Sequence, residues 1–232
     1  MINRIFLLTL LVFVSFSNVS WSSPITGPVN PITGKHNENS VKLYNLLNDK
    51  DLKFEVFEKA LNGYNKLLKD KKIQNSNFLT VIDLSLSANK NRFFLIDFKL
   101  NKIIHKSKVA HGRNSGGEFA KHFSNKVGSY QSSIGFYKTA ETYKGKHGLS
   151  LRLDGLENSN SNARKRAIVI HSADYVSDLF IKKYGRLGRS LGCPSLPKEG
   201  FLNIIKNIKN GSVLFIYYPE KNYLQHSSLA SN

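Results

Sequence analysis

The spacing of hydrophobic positions changes character near residue 78 of this 232-residue chain. Before it, "VKLYNLLNDKDLKFEVFEKALNGYNKLLKD" repeats apolar residues every three or four positions. Phe54, Phe57, Leu61, Tyr64 and Leu68 fall on one stripe, which predicts a core-facing helical segment over 41–70. After it, short runs rich in β-branched and aromatic residues alternate with polar turns. They predict strands at 78–85, 92–98, 103–110, 134–140, 149–155, 167–172 and 212–218. The run at 166–171 is the most apolar and is expected at the centre of the sheet. Helices are expected over 174–184 and 198–209, the second beginning near Pro197, a residue suited to a first helical position. Many strands and few helices predict a mainly β fold with α (α+β), a sandwich or partly closed barrel preceded by a helical segment.

The first residues break this pattern. Arg4 precedes an apolar run from Ile5 to Phe16, with small residues at Ser20 and Ser22. That arrangement predicts a signal peptide over 1–22, because the run is short for a bilayer span. No cysteine follows it that could carry a lipid. The stretch 23–40, "SPITGPVNPITGKHNENS", reads as a flexible leader with "PITG" echoed at 24 and 31. A catalytic or binding domain is then expected over 71–223, with a polar tail over 224–232. The mature protein is expected to be periplasmic or secreted, without stable membrane insertion.

Composition narrows the partners. With 34 basic against 16 acidic residues, the formal charge is +18. Such a surface attracts polyanions, including nucleic acid, anionic lipid and carboxylate-rich wall polymer. The lysines are scattered singly, no aromatic-basic ladder marks a nucleic-acid groove, and export argues against that partner.

The chain has one cysteine, Cys193. It cannot form an internal disulfide or a cysteine-based zinc site, and there is no HExxH or CxxC motif. A buried inert thiol, an intermolecular disulfide and a nucleophile remain. In "GRLGRSLGCPSLP" three features favour a thiolate: the expected helix start just downstream, Gly192 allowing close backbone approach, and Arg186 and Arg189 nearby. The amides of Gly192 and Cys193 are candidates for an oxyanion site. His171 ends the strand "AIVIHS" and is the candidate base, with the Ser172 carbonyl fixing its tautomer. His111, in "VAHGRNSGG", also ends a strand and is the rival.

"IVIHSADYVSDLFIKKYGRLGRSLGCP" resembles the signature of the L,D-transpeptidases of bacterial cell walls, in which a strand-end histidine precedes a Ser-x-Gly-Cys loop. The text from Val109 to Glu157 resembles their murein L,D-transpeptidase catalytic-domain branch, and the likeness runs from about residue 42 to 223. The resemblance implies Cys193 as nucleophile, His171 as base, Ser172 orienting the ring, and the Gly192 and Cys193 amides as oxyanion site. It implies a peptidoglycan tetrapeptide stem as substrate, cut before its terminal D-alanine, with no metal or other cofactor. The acyl group would pass to an amine of another stem, giving a 3–3 cross-link, or to water, making the protein an L,D-carboxypeptidase. A non-catalytic, basic murein-binding protein is the alternative from another class. Many relatives carry histidine where this chain has Leu191, and arginine or asparagine where it has Ser195. Ser190, His111, Arg113, Arg186 and Arg189 are therefore the candidates for holding the stem, the arginines through its carboxylates.

Overall fold

The computed structural model describes residues 38–231. The expected signal peptide and most of the expected leader lie outside the described residues. Among the described residues two helices come first, α1 (Glu38–Leu47) and α2 (Phe54–Lys69). The first begins inside the stretch expected as leader. They are separate because the chain turns between them: Asn48 has φ 46°, and the Asp49 carboxylate accepts from the amides of Asp51 and Leu52. Such side-chain capture of backbone amides ends a helix.

Eight strands follow in one sheet: β1 (Phe78–Asp83), β2 (Phe93–Asp97), β3 (Lys102–Ser107), β4 (Gly135–Gly145), β5 (Gly148–Gly155), β6 (Val169–Ser172), β7 (Ser195–Leu196) and β8 (Val213–Tyr217). Their spatial order is β3-β2-β1-β8-β4-β5-β6-β7. Pairing is antiparallel except for β1 with β8 and β6 with β7. Just beyond β3, Ala110 bridges Ser195 of β7, so the two ends of the sheet meet and the barrel nearly closes. All seven expected strands are present. The two-residue β7 has no periodicity to announce it. The centre belongs to β1, β8 and β4, not to β6, which lies next to the sheet's end. Apolarity reported β6 as buried, and burial in a closed sheet does not require a central place.

Alternation along the strands divides the core in two. Leu79, Val81, Phe94, Ile96, Phe215 and Tyr217 pack against Val56, Phe57, Ala60, Tyr64 and Leu67 of α2. Phe57 and Leu67 are almost completely buried, each contributing about 1.5–3 kcal/mol. Leu68, expected on the same stripe, is turned outward at 44% exposure, and Leu67 takes its place. The opposite faces, with Phe93, Leu95, Tyr137, Leu151, Ile170 and Leu214, enclose α4 (Phe201–Ile208).

Both later helices start downstream of their expected positions. In α3 (Asp178–Tyr184) the Ser177 hydroxyl accepts from the Phe180 amide, an N-cap that fixes the first turn. For α4, Gly200 sits at φ 71° directly before the helix. A left-handed residue there prevents the helix from extending back to Pro197. The C-terminal segment, expected to be a loose tail, forms α5 (Lys221–His226) and docks. Leu229 and Ala230 are buried in the α2-side core, and Lys66 Nζ donates to the carbonyls of Ser228 and Ser231. Among the described residues no helix is long and apolar enough to cross a membrane.

Candidate active site

The parallel pairing of β6 with β7 sets His171 opposite Ser195. Cys193, two residues earlier in the chain, enters the same seam from the loop after α3. Twenty-two positions of sequence, including a helix, are thereby folded into adjacent strands.

His171 is buried. Its Nδ1 lies 3.1 Å from the Ser172 carbonyl, as expected from the sequence. A carbonyl only accepts, so Nδ1 carries the proton and Nε2 of the neutral ring is an acceptor. That acceptor faces the Ser195 hydroxyl at 2.9 Å, and Ser195 Oγ is in turn 2.9 Å from the Tyr175 hydroxyl. The His147 ring stacks on His171 with centroids 4.4 Å apart. Burial pushes the His171 pKa down, and the nearby His147 and Lys146 add to that effect against the Ser172 hydrogen bond.

Cys193 is free and half-buried. Its thiol points to the Ala167 carbonyl, 3.7 Å away. Ala167 has φ 52°, an uncommon conformation for a residue with a side chain, at a point where strain is often concentrated near function. Burial raises the thiol pKa, opposed by a backbone hydrogen bond from Val169 and by the charges of Arg166 and Lys146. This corrects the expectation of a resting thiol activated by a helix start and by Arg186 and Arg189. The start of α4 is eight residues beyond Cys193, too far for its dipole to act, and the cations that bear on the sulfur are others.

Arg166 was not singled out by the sequence. Its guanidinium donates to the Ser124 and Gln131 carbonyls and to the hydroxyls of Ser129 and Ser133. It therefore fastens the 124–133 segment beside the cysteine loop. A Cβ at Gly192 would stand 3.2 Å from Arg166 Nη2 and 2.9 Å from the Gln131 carbonyl. Glycine at φ 125° is what lets the loop pass so close.

The Gly192 amide, expected to help bind an oxyanion, instead donates to Ser190 Oγ at 3.1 Å. Ser190 Oγ also donates to the Cys193 carbonyl at 2.6 Å. The serine thus ties the turn together and has no hydroxyl proton left for a substrate. Residues 188–192 have the Gly-x-Ser-x-Gly spacing of a serine-hydrolase nucleophile elbow. The buried, internally bonded Ser190, in a loop between α3 and β7, does not present its oxygen as such an elbow must.

His111 does not face the solvent. It is 1% exposed, and its Nδ1 accepts from Nη2 of the fully buried Arg92 at 2.8 Å. Burial first, then the charges of Arg92 and Arg189, push its pKa down to about 3. With Nδ1 occupied and the proton on Nε2, the neutral ring has no free lone pair to take a proton, so the rival-base role does not fit it; its Nε2–H is buried and has no partner among the described residues. Of the arginines, Arg113 is exposed and lies over the Tyr130 ring at 4.4 Å. Arg189 Nη1 donates to the carbonyls of Arg113 and Gly116. Arg186 Nη1 donates to the adjacent Leu187 carbonyl. Burial first, then the charges of Arg186 and Arg113, push the Arg189 pKa down, so three like charges lie near one another.

The segment 111–130, which carries His111 and Arg113, is closely knit. A 3-10 turn at Arg113–Ser115 is bound to Tyr130 and Ser132 through Asn114 N and Ser115 Oγ. Residues 142–148 belong to the β4–β5 hairpin, whose tip brings Lys146 and His147 to His171. Two surface clefts, of about 540 and 1020 Å³, have neither Cys193 nor His171 in their linings.

A nearly closed barrel with a histidine on β6 and a cysteine in the loop that leads into β7 defines the class of domain. The family model described as the L,D-transpeptidase catalytic domain matches residues 48–217, and the chain belongs to that family. No curated protein matches it in sequence. Among solved structures it is similar to an L,D-transpeptidase from Mycobacterium smegmatis, at 12% identity and TM-score 0.38, over 61% of this chain and 59% of that one. It is also similar to L,D-transpeptidase 3 from Mycobacterium tuberculosis in complex with a faropenem-derived adduct, at 12% identity and TM-score 0.39, over 61% and 60%. An L,D-transpeptidase from Xylanimonas cellulosilytica gives 13% identity and TM-score 0.35, over 82% of this chain and 98% of that one. The chain spans about three fifths of the length of the mycobacterial structures.

Proposed function

We propose that the protein is a peptidoglycan L,D-transpeptidase acting outside the cytoplasm, with Cys193 as nucleophile and His171 as base. The observation that carries this reading is the β6–β7 pairing, which brings the one cysteine and a tautomer-fixed histidine to one seam. Family membership supplies the reaction class.

In this reading His171 Nε2 takes the thiol proton as Cys193 Sγ attacks the carbonyl before the terminal D-alanine of a tetrapeptide stem. The C–N bond breaks, the imidazolium returns the proton to the leaving amine, and a thioester remains. An amine of a second stem then displaces the sulfur, forming a 3–3 amide link and regenerating the thiol. Water in its place would give a free tripeptide. Arg113, Arg186 and Arg189 form the basic cluster that receives stem carboxylates, because their mutual repulsion is relieved when an anion binds.

The test is incubation of the protein lacking residues 1–22 with a purified disaccharide-tetrapeptide, followed by product masses, with Cys193→Ala as control. A dimer with one D-alanine lost, absent in the control, is expected. Tripeptide and D-alanine alone would make the protein a carboxypeptidase. Cys193-independent retention of murein with no product would leave a binding protein. Acylation of Cys193 by a carbapenem, read by intact mass, tests the nucleophile separately.

A further inference from the structure

The acceptor nitrogen of His171 is occupied by a side chain that the proposed reaction has not used. Hydrogen-bond direction can be followed along the whole line. The Ser172 carbonyl requires the proton on Nδ1, so Nε2 accepts. Ser195 therefore donates its single hydroxyl proton to Nε2, and its oxygen is left to accept from Tyr175. The resting order is Tyr175 to Ser195 to His171 to Ser172.

Both hydroxyls are held firmly. Ser195 is fully buried, and its backbone is clamped to Ala110 by two hydrogen bonds, at 2.9 and 3.4 Å. Tyr175 is set against the cysteine loop: the Gly188 amide donates to its carbonyl at 2.9 Å, and a Cβ at Gly188 would stand 2.4 Å from Tyr175 Cβ. Burial pushes the Tyr175 phenol pKa up, which keeps its proton available for donation.

We propose that Tyr175 and Ser195 are positioning residues for His171, a two-hydroxyl relay that holds the neutral ring ready to accept and reverses direction when the ring is protonated. The proposal rests on His171 being the base. A hydroxyl can both donate and accept, which makes the reversal possible. When Nε2 gains a proton, it donates to Ser195 Oγ, and the serine proton turns to the Tyr175 oxygen. The phenol proton rotates away in turn. No bond to a heavy atom breaks within the relay, and the only proton gained is the one from the thiol. At rest the serine also keeps the ring committed to itself while the thiol bonds to Ala167. The imidazole and thiol engage when the thiol leaves the Ala167 carbonyl and the serine proton turns from Nε2 to the Tyr175 oxygen, which frees the Nε2 lone pair for the thiol proton.

The experiment combines histidine 15N NMR with acylation kinetics on wild-type protein, Ser195→Ala and Tyr175→Phe. His171 signals are identified by their loss in His171→Gln. Wild type should show Nδ1 protonated and Nε2 hydrogen-bonded near pH 7.5. In both variants the Nε2 resonance should move toward that of an unbonded imidazole nitrogen. The maximal rate of carbapenem acylation should fall about 10-fold or more in Ser195→Ala and less in Tyr175→Phe, with little change in the half-saturating concentration. Unchanged His171 spectra in both variants would overturn the relay, and so would shifted spectra with wild-type acylation rates. If wild-type protein is not acylated at all, the transpeptidase reading fails, while the spectra still decide whether the hydroxyls hold the ring.

Discussion

Acid should destabilise this protein through His111, a residue that the sequence alone presents as a rival base. The Nδ1 atom accepts from Arg92 at 2.8 Å, so a proton added there would oppose a guanidinium N–H inside the core. Burial and the charges of Arg92 and Arg189 hold the folded pKa at about 3, against 6.5 for a free histidine. Between those values the unfolded chain binds a proton that the folded chain refuses. The corresponding stability is complete above pH 6.5 and is lost as pH falls toward 3. The gap amounts to roughly 5 kcal/mol at its acid end, of which about 2 kcal/mol is gone by pH 5. In His111→Gln the amide oxygen can still accept from Arg92 but does not titrate. Urea denaturation of both proteins at pH 7.5 and pH 5 isolates the effect, because the surface carboxylates are common to the pair. Wild type should lose about 2 kcal/mol more than the variant over that interval. Equal losses would show that His111 is not kept neutral by its surroundings and would refute the argument.

Three further outcomes follow from the site. Alkylation of Cys193 by iodoacetamide should titrate above the value of a free cysteine, about 8.5, since burial raises the thiol. Arg166→Gln should move that inflection higher still, and an inflection below the free value would contradict both statements. Gly188→Ala places a Cβ against Tyr175 and should lower stability by about 1–3 kcal/mol in thermal melts; an unchanged melt would mean that the loop yields freely. Arg189→Ala should raise KM for the tetrapeptide more than it lowers kcat, as loss of uniform binding does. Identical kinetics would reduce Arg189 to its hydrogen bonds with the Arg113 and Gly116 carbonyls.

Much of the architecture was legible because it is local. Short runs of β-branched and aromatic residues between polar turns marked all seven longer strands, and the three- and four-residue spacing of Phe57, Leu61 and Tyr64 marked the helix that covers one face of the sheet. The candidate pair was legible too, from a single cysteine in a glycine-rich loop and a histidine at a strand end. Their approach across 22 positions is a fact of sheet topology, and β7, with two residues, has no period to reveal it.

What the tertiary structure decided was the environment of each group. His111 and His171 both end apolar runs and read alike in sequence. One meets a buried guanidinium and the other a serine hydroxyl, because Arg92 and Ser195 arrive from other parts of the chain. The same holds for the cations near the thiol: Arg186 and Arg189 are its neighbours in the chain, yet Arg166 and Lys146 are the charges it feels. Short-range preference sets which segments are strands and helices. Titration, tautomer and access depend on contacts a few ångströms away in space, and these exist only once the barrel has closed.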